Sequence, residues 1–136
     1  MPSIFTRIID GDLPGNFVWR DDRCVAFLSI NPLKPGHTLV VPRDEIEHWI
    51  DCPSDLRAHL FDVAHHIGVA IQEEWQPAKV GLMLAGLEVP HTHIHVSPIW
   101  TVHDLDFANA APSVDRGELE ENADRIRRRL PDGGSA

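Results

Sequence analysis

The chain has 136 residues, enough for one domain with a genuine core and too few for a second of ordinary size. Hydrophobic residues make up 43% and charged residues 24%, the balance of a globular chain and not of a disordered one. Twelve Lys and Arg against 21 Asp and Glu leave a net charge of −9, which argues against sequence-blind binding to nucleic acid or an anionic membrane. A phosphate ligand would need a local site. The N-terminus lacks a basic, then apolar, leader pattern, and no window approaches the ~20 apolar residues of a membrane span. Cys24 and Cys52 read as two reduced thiols, so the expected location is cytoplasmic.

In chain order, residues 3–10 carry Ile4, Phe5, Ile8 and Ile9 at helical spacing, with Gly11 as the stop. Pro14-Gly15-Asn16 turns the chain into a strand at 17–20. Asp21-Asp22 leads to a second strand at 24–30, closed by Asn31-Pro32. Lys34-Pro35-Gly36 makes the next turn, before a β-branched strand at 37–41 that ends at Pro42. A long helix begins near Pro53, which suits the first helical position. Leu56, Leu60, Val63, Ile67, Ile71 and Trp75 form its apolar stripe, leaving His59, His65 and His66 facing solvent. Strands at 79–85 and 91–99 follow, separated by Gly86-Leu87-Glu88-Val89-Pro90. Residues 100–112 read as loop and 117–130 as a polar helix. The basic run Arg125, Arg127, Arg128, Arg129 complements that helix's dipole, and 131–136 is a frayed tail. Strands, one long helix and strands again predict an α+β domain: helices on a five-stranded antiparallel sheet, with a short N-terminal helix and an appended C-terminal one. A single domain spans 1–130.

Nine His and no Tyr demand an explanation, and three of the nine sit in Pro90-His91-Thr92-His93-Ile94-His95-Val96. On a strand, His91, His93 and His95 point one way, ~6.5–7 Å apart, while Thr92, Ile94 and Val96 point into a packed face. Such a row can be three satisfied surface histidines. It can be a zinc site, completed by a ligand from elsewhere. It can also be a nucleophile with its helpers, because a neutral imidazole held by a carbonyl at one nitrogen attacks well from the other near pH 7. Neighbouring imidazoles disfavour each other's cationic form, which keeps the nucleophile unprotonated.

The stretch Gly86 to Val96 resembles the signature of the histidine triad (HIT) superfamily, His-φ-His-φ-His-φ-φ, with Thr92 and Ser97 weakly apolar at φ positions. The resemblance continues upstream in Ser3-Ile4-Phe5-Thr6-Arg7-Ile8-Ile9, in Asp21 to Phe27 and in Asn31 to Arg43, covering 3–100 in one order; 101–130 forms a C-terminal segment. The pattern is most similar to small bacterial members near the purine nucleoside phosphoramidases and dinucleoside polyphosphate hydrolases. The resemblance implies a HIT-like fold and attack on the α-phosphorus of a purine nucleotide derivative through a covalent nucleotidyl-histidine. It makes His93 the nucleophile, His95 the hydrogen-bond donor to the phosphate or leaving group, His91 an orienting neighbour and His37 the fourth histidine. It assigns Ile4, Phe5, Ile8, Phe27 and Ile30 to the nucleoside, and the ribose and phosphate to Ser29, Gly86, Leu87 and Glu88. Each apolar member of that set can equally be plain core. The resemblance also implies a metal-independent enzyme without cofactor, and a homodimer in which Trp100 reaches the partner's site or packs.

Three departures from the family pattern stand out. Ser3 and Thr6 replace a Cys-x-x-Cys pair, so a structural zinc is not expected, with His48 and His91 left as partial ligands. Ser29 stands where an Asp usually contacts the ribose hydroxyls, offering one hydroxyl instead of two carboxylate oxygens. Gly86-Leu87 replaces Gly-Gln, and the usual phosphate-contacting Asn has no counterpart. Two other readings remain open: a non-catalytic nucleotide-binding or interaction module on the same scaffold, and a His-ligated zinc protein.

Overall fold

A computed structural model describes residues 2–131, so the tail expected at 131–136 lies almost wholly outside the described residues. The first helix, α1 (Ile4–Ile9), starts where the Ser3 hydroxyl accepts the Thr6 N–H at 3.0 Å, and stops at Gly11 with φ +87°. Strands β1 (Phe17–Arg20), β2 (Cys24–Leu28) and β3 (Thr38–Pro42) form the expected meander. The long helix α2 (Ser54–Trp75) follows, with Pro53 as its N-cap residue, one position earlier than expected. Strands β4 (Lys79–Met83) and β5 (Ile94–Ile99) are shorter than expected from the sequence, and α3 is Arg116–Arg127. The segment expected to be a plain loop holds two 3-10 turns, Val102–Leu105 and Phe107–Asn109.

The five strands form one antiparallel sheet in the order β1-β2-β3-β5-β4, and the fold is α+β. Strand alternation divides the sheet into two chemistries. Val18, Cys24, Ala26, Leu28, Val40, Ile94 and Val96 face α2 and α3, packing against Leu60, Val63, Ile67, Ile71, Leu119 and Ile126. Phe17, Val25, Phe27, Leu39 and Val41 face the other way, against Phe5 of α1. The register lines up Phe17, Phe27, Leu39, His95 and Met83 as one cross-strand row on this second face. The sheet thus delivers an imidazole into an aromatic floor.

Two features of α2 and α3 differ from the sequence expectation. His65 is exposed, whereas His59 donates to the Asp21 carboxylate at 2.7 Å and His66 stacks on Trp19 with centroids 5.6 Å apart. Both half-buried rings were expected in solvent; the β1–β2 turn rises beside α2 and covers them. The basic run of α3 is also more than a dipole complement. Arg125 and Arg129 pair with Glu74 of α2, and Arg127 pairs with Glu120 while donating to the Phe17 carbonyl at 2.7 Å. Among the described residues no helix is long and apolar enough to cross a membrane.

Candidate active site

The β3–β5 ladder ends at Val40 opposite Ile94, because the next ladder position on β3 would be Pro42, which has no N–H to donate. His91, Thr92 and His93 therefore precede the strand instead of lying on it, which corrects the single-strand row expected from the sequence. Thr92 is held by the loop instead: its N–H and its hydroxyl both donate to the Ile46 carbonyl at 2.7 Å. Alternation nevertheless persists through the segment. The His93 and His95 rings lie 4.8 Å apart, closer than an ideal strand spacing, and Phe5 packs edge-on against both His91 and His93.

Backbone atoms determine where the protons sit. The Leu33 N–H donates to His37 Nδ1 at 2.9 Å, so neutral His37 carries its proton on Nε2. That Nε2–H donates to His95 Nδ1, also at 2.9 Å, which places the His95 proton on Nε2. His93 Nδ1–H donates to the His91 carbonyl at 2.6 Å, leaving Nε2 as a free lone pair. His91 Nε2–H donates to the Pro42 carbonyl at 2.7 Å, and its Nδ1 accepts the Ser3 hydroxyl at 2.7 Å. The site thus presents one unprotonated nitrogen, on His93, beside one N–H donor, on His95.

Burial keeps these rings neutral. It lowers His37 to about 4, with the nearby His93 adding to the effect. Burial first, then His37 and His93, hold His95 at about 3. His93 and His91 are also lowered by burial, against the opposing pull of their carbonyl partners.

A cavity of about 880 Å³ opens in front of His93 and His95, within the usual size range for small-molecule sites. Ile4, Phe5, Ile8, Phe27, Ser29, Ile30, Gly86, Leu87 and Glu88 all line it together with His37, His93 and His95. His91 does not; both its ring nitrogens are engaged behind the site. Ile4 is 48% exposed and Ile30 63%, whereas Phe5 and Phe27 are buried, so the apolar set combines floor and rim. Sequence reasoning missed Met83, Phe107 and Arg116 as lining residues. Met83 is legible only through its register with His95. Phe107 lies 4.9 Å from the His95 ring and Arg116 opens α3; both arrive on the C-terminal segment, for which the sequence carries no local signal. Trp100 is half exposed, with the Lys34 ammonium 6.0 Å from its ring.

The positions corresponding to a structural zinc do not fit a metal. Ser3 and Thr6 present hydroxyls, His48 is exposed, and His91 has no free nitrogen. Glu45 ties the group together instead, accepting from the Ser3 N–H at 2.5 Å and the Thr6 hydroxyl at 2.8 Å. Among the described residues the one His/Cys/Asp/Glu trio close enough for an ion is Asp21, Cys24 and His59. It lies on the α2 side of the sheet, where Asp21 already accepts from Trp19, Arg23, Cys24 and His59.

A sheet with one apolar helix-bearing face and one histidine-bearing, cavity-facing side defines a class. Residues 10–100 match the HIT domain family. A HIT-like protein of Saccharolobus solfataricus is 34% identical over 103 residues, covering 72% of this chain and 74% of that one. The crystal structure of a Hit-like protein of Bartonella henselae aligns with TM-score 0.82 and 27% identity over 94% of this chain and 96% of that one. A hypothetical histidine triad nucleotide-binding protein of Sulfolobus tokodaii aligns with TM-score 0.78 and 26% identity over 92% of this chain and 89% of that one. The chain belongs to the histidine triad (HIT) family.

Proposed function

We propose that this protein hydrolyses, or transfers, a purine nucleotide derivative at its α-phosphorus through a covalent nucleotidyl-histidine on His93. The observation that carries this reading is the paired assignment of nitrogens: a lone pair on His93 Nε2 and an N–H on His95 Nε2, both on rings that line one cavity. The structural neighbour from Sulfolobus tokodaii, named a hypothetical histidine triad nucleotide-binding protein, is in keeping with a nucleotide as the ligand.

In the first step His93 Nε2 forms a bond to phosphorus while the P–N or P–O bond to the leaving group breaks. The positive charge that develops on His93 is stabilised by its Nδ1–H···O=C bond to His91. The His95 N–H lies beside the same centre to stabilise phosphoryl or leaving-group charge. His95 has a hydrogen bond to lend but no spare proton, since its Nδ1 accepts from His37. Solvent therefore protonates the leaving group. Water then attacks phosphorus, the P–N bond to His93 breaks and its proton returns to solvent, giving the nucleoside 5′-monophosphate. No step requires a metal ion, and a homodimer is part of this reading.

Intact-protein mass spectrometry after brief, acid-avoiding exposure to an adenosine phosphoramidate tests it. A gain of one adenylyl mass in wild type and none in His93→Ala is the expected result. Binding without adduct or released nucleotide would replace the enzyme with the non-catalytic module, a reading that the serine at position 29 favours.

A further inference from the structure

Apart from its histidines, the cavity is lined among the described residues by two ionisable side chains, Glu88 on the β4–β5 loop and Arg116 at the start of α3. Glu88 lies on the triad side, where its charge favours the His93 imidazolium. Among the described residues Arg7, Arg20 and Arg116 form no ion pair and no side-chain hydrogen bond, and of these three Arg116 alone lines the cavity. Arg23, Arg125, Arg127 and Arg129 pair with carboxylates, and Arg43 and Arg128 donate to backbone carbonyls. Arg116 forms neither kind of contact among the described residues and extends from an exposed position at the cavity wall.

The chain path brings the segment that leads to Arg116 along the loop that follows Ser29. Asn31 donates its side-chain amide to the carbonyls of Ala111 and Pro112 at 3.1 and 2.9 Å, and the Ala111 N–H donates to the Pro32 carbonyl at 3.0 Å. These bonds fasten the segment leading into α3 along the β2–β3 loop. Ser29 Oγ accepts the Asn31 N–H at 3.2 Å, which leaves its O–H free to donate. Among the described residues no carboxylate other than Glu88 lines the cavity. A carboxylate at the position of Ser29 would accept from two ribose hydroxyls and repel a phosphate. A hydroxyl donor and an exposed guanidinium that line the same cavity have the opposite preference. The same exchange of acid for arginine separates free-ribose from phosphoribose recognition in dinucleotide-binding folds.

We propose that Ser29 and Arg116 bind a phosphate carried on the 2′ or 3′ oxygen of the ribose, so that the ligand is a ribose-phosphorylated purine nucleotide. The inference rests on the nucleotide reading above and names its substrate class. Isothermal titration of the full chain with AMP, adenosine 2′,5′-bisphosphate and adenosine 3′,5′-bisphosphate, at one ionic strength, tests it without requiring turnover. Wild type is expected to bind one bisphosphate at least ~10-fold more tightly than AMP, and the isomer that gains identifies the oxygen. Arg116→Ala should bring the two within about twofold, Arg116→Lys should keep part of the gain, and Ser29→Asp should turn the preference towards AMP. Equal binding of AMP and both bisphosphates, a gain that survives Arg116→Ala, or no binding of any probe overturns the proposal. Preferential bisphosphate binding with no His93 adduct would retire the hydrolase reading and leave this one standing. Turnover of the plain adenylyl compound without preference would do the reverse.

Discussion

At His37 a single backbone amide sets the proton inventory of the site. Because the Leu33 N–H occupies His37 Nδ1, the proton order runs outward through His95 to the cavity. His37→Ala should leave His95 free to adopt either tautomer, lowering kcat about 10- to 100-fold with a smaller change in KM. The pH profile offers a second check. In the proposed reaction His93 must be neutral to attack, and burial lowers its pKa from the ordinary value near 6.5. The acid limb of kcat/KM is therefore expected below pH 6.5; a limb above it would show that the His91 carbonyl and the Glu88 charge outweigh burial. Ser3 serves the same cluster from behind. Its hydroxyl caps α1 and donates to His91 Nδ1, so Ser3→Ala should cost ~1–3 kcal/mol in a urea melt through the lost cap and an orphaned ring nitrogen.

Between the elements, two fastenings hold the cavity's walls. Gly36 sits at φ +97°, where an added Cβ would lie 2.9 Å from the Trp75 ring at the end of α2. That contact positions the turn before His37, and Gly36→Ala should both destabilise the fold and lower activity, by backbone strain and collision together. The second fastening is α3. Leu119, Ala123 and Ile126 are buried against α2 and the sheet, while the arginine–glutamate pairs stay partly exposed to solvent. Ile126→Ala should therefore cost ~2–5 kcal/mol, and Glu74→Ala distinctly less, with a dependence on salt that the core substitution lacks. Chemical denaturation of both variants at two ionic strengths compares them. The C-terminal segment between these fastenings carries Phe107 to His95 and Arg116 to the rim.

For the whole molecule, neutral buried histidines couple stability to pH. His37 and His95 are lowered to about 4 and about 3, so below the unfolded value of 6.5 the unfolded chain binds protons that the folded chain refuses. Their contribution is complete above pH 6.5 and is lost progressively as pH falls towards 3, by ~3 kcal/mol or more for the coupled pair. Asp21 behaves differently in range. Burial opposes its ionisation, but bonds from Trp19, Arg23, Cys24 and His59 hold it at about 2, so its contribution survives until pH falls below 3.8. Urea midpoints at pH 7.5, 5.5 and 4.5 should decline steadily, and a flat series would contradict the burial of the pair.

The elements with a strong period or punctuation were legible in the chain itself. Gly11, the Lys34-Pro35-Gly36 turn and the stripe from Leu56 to Ile71 mark their structures because glycine, proline and apolar spacing act locally. The His-x-His-x-His alternation and its family resemblance singled out His37, His91, His93 and His95, and the apolar set now found around the cavity. Three things needed the tertiary structure. The proton positions depend on Leu33, Pro42 and His91 backbone atoms, which no spacing rule brings to the rings. The start of β5 at Ile94 depends on a proline in its partner strand. Phe107 and Arg116 reach the site because distant hydrogen bonds at Asn31 and Ala111 fasten their segment. Local stereochemistry is written in neighbouring residues; long-range contacts are decided only when the folded chain chooses which backbone groups meet.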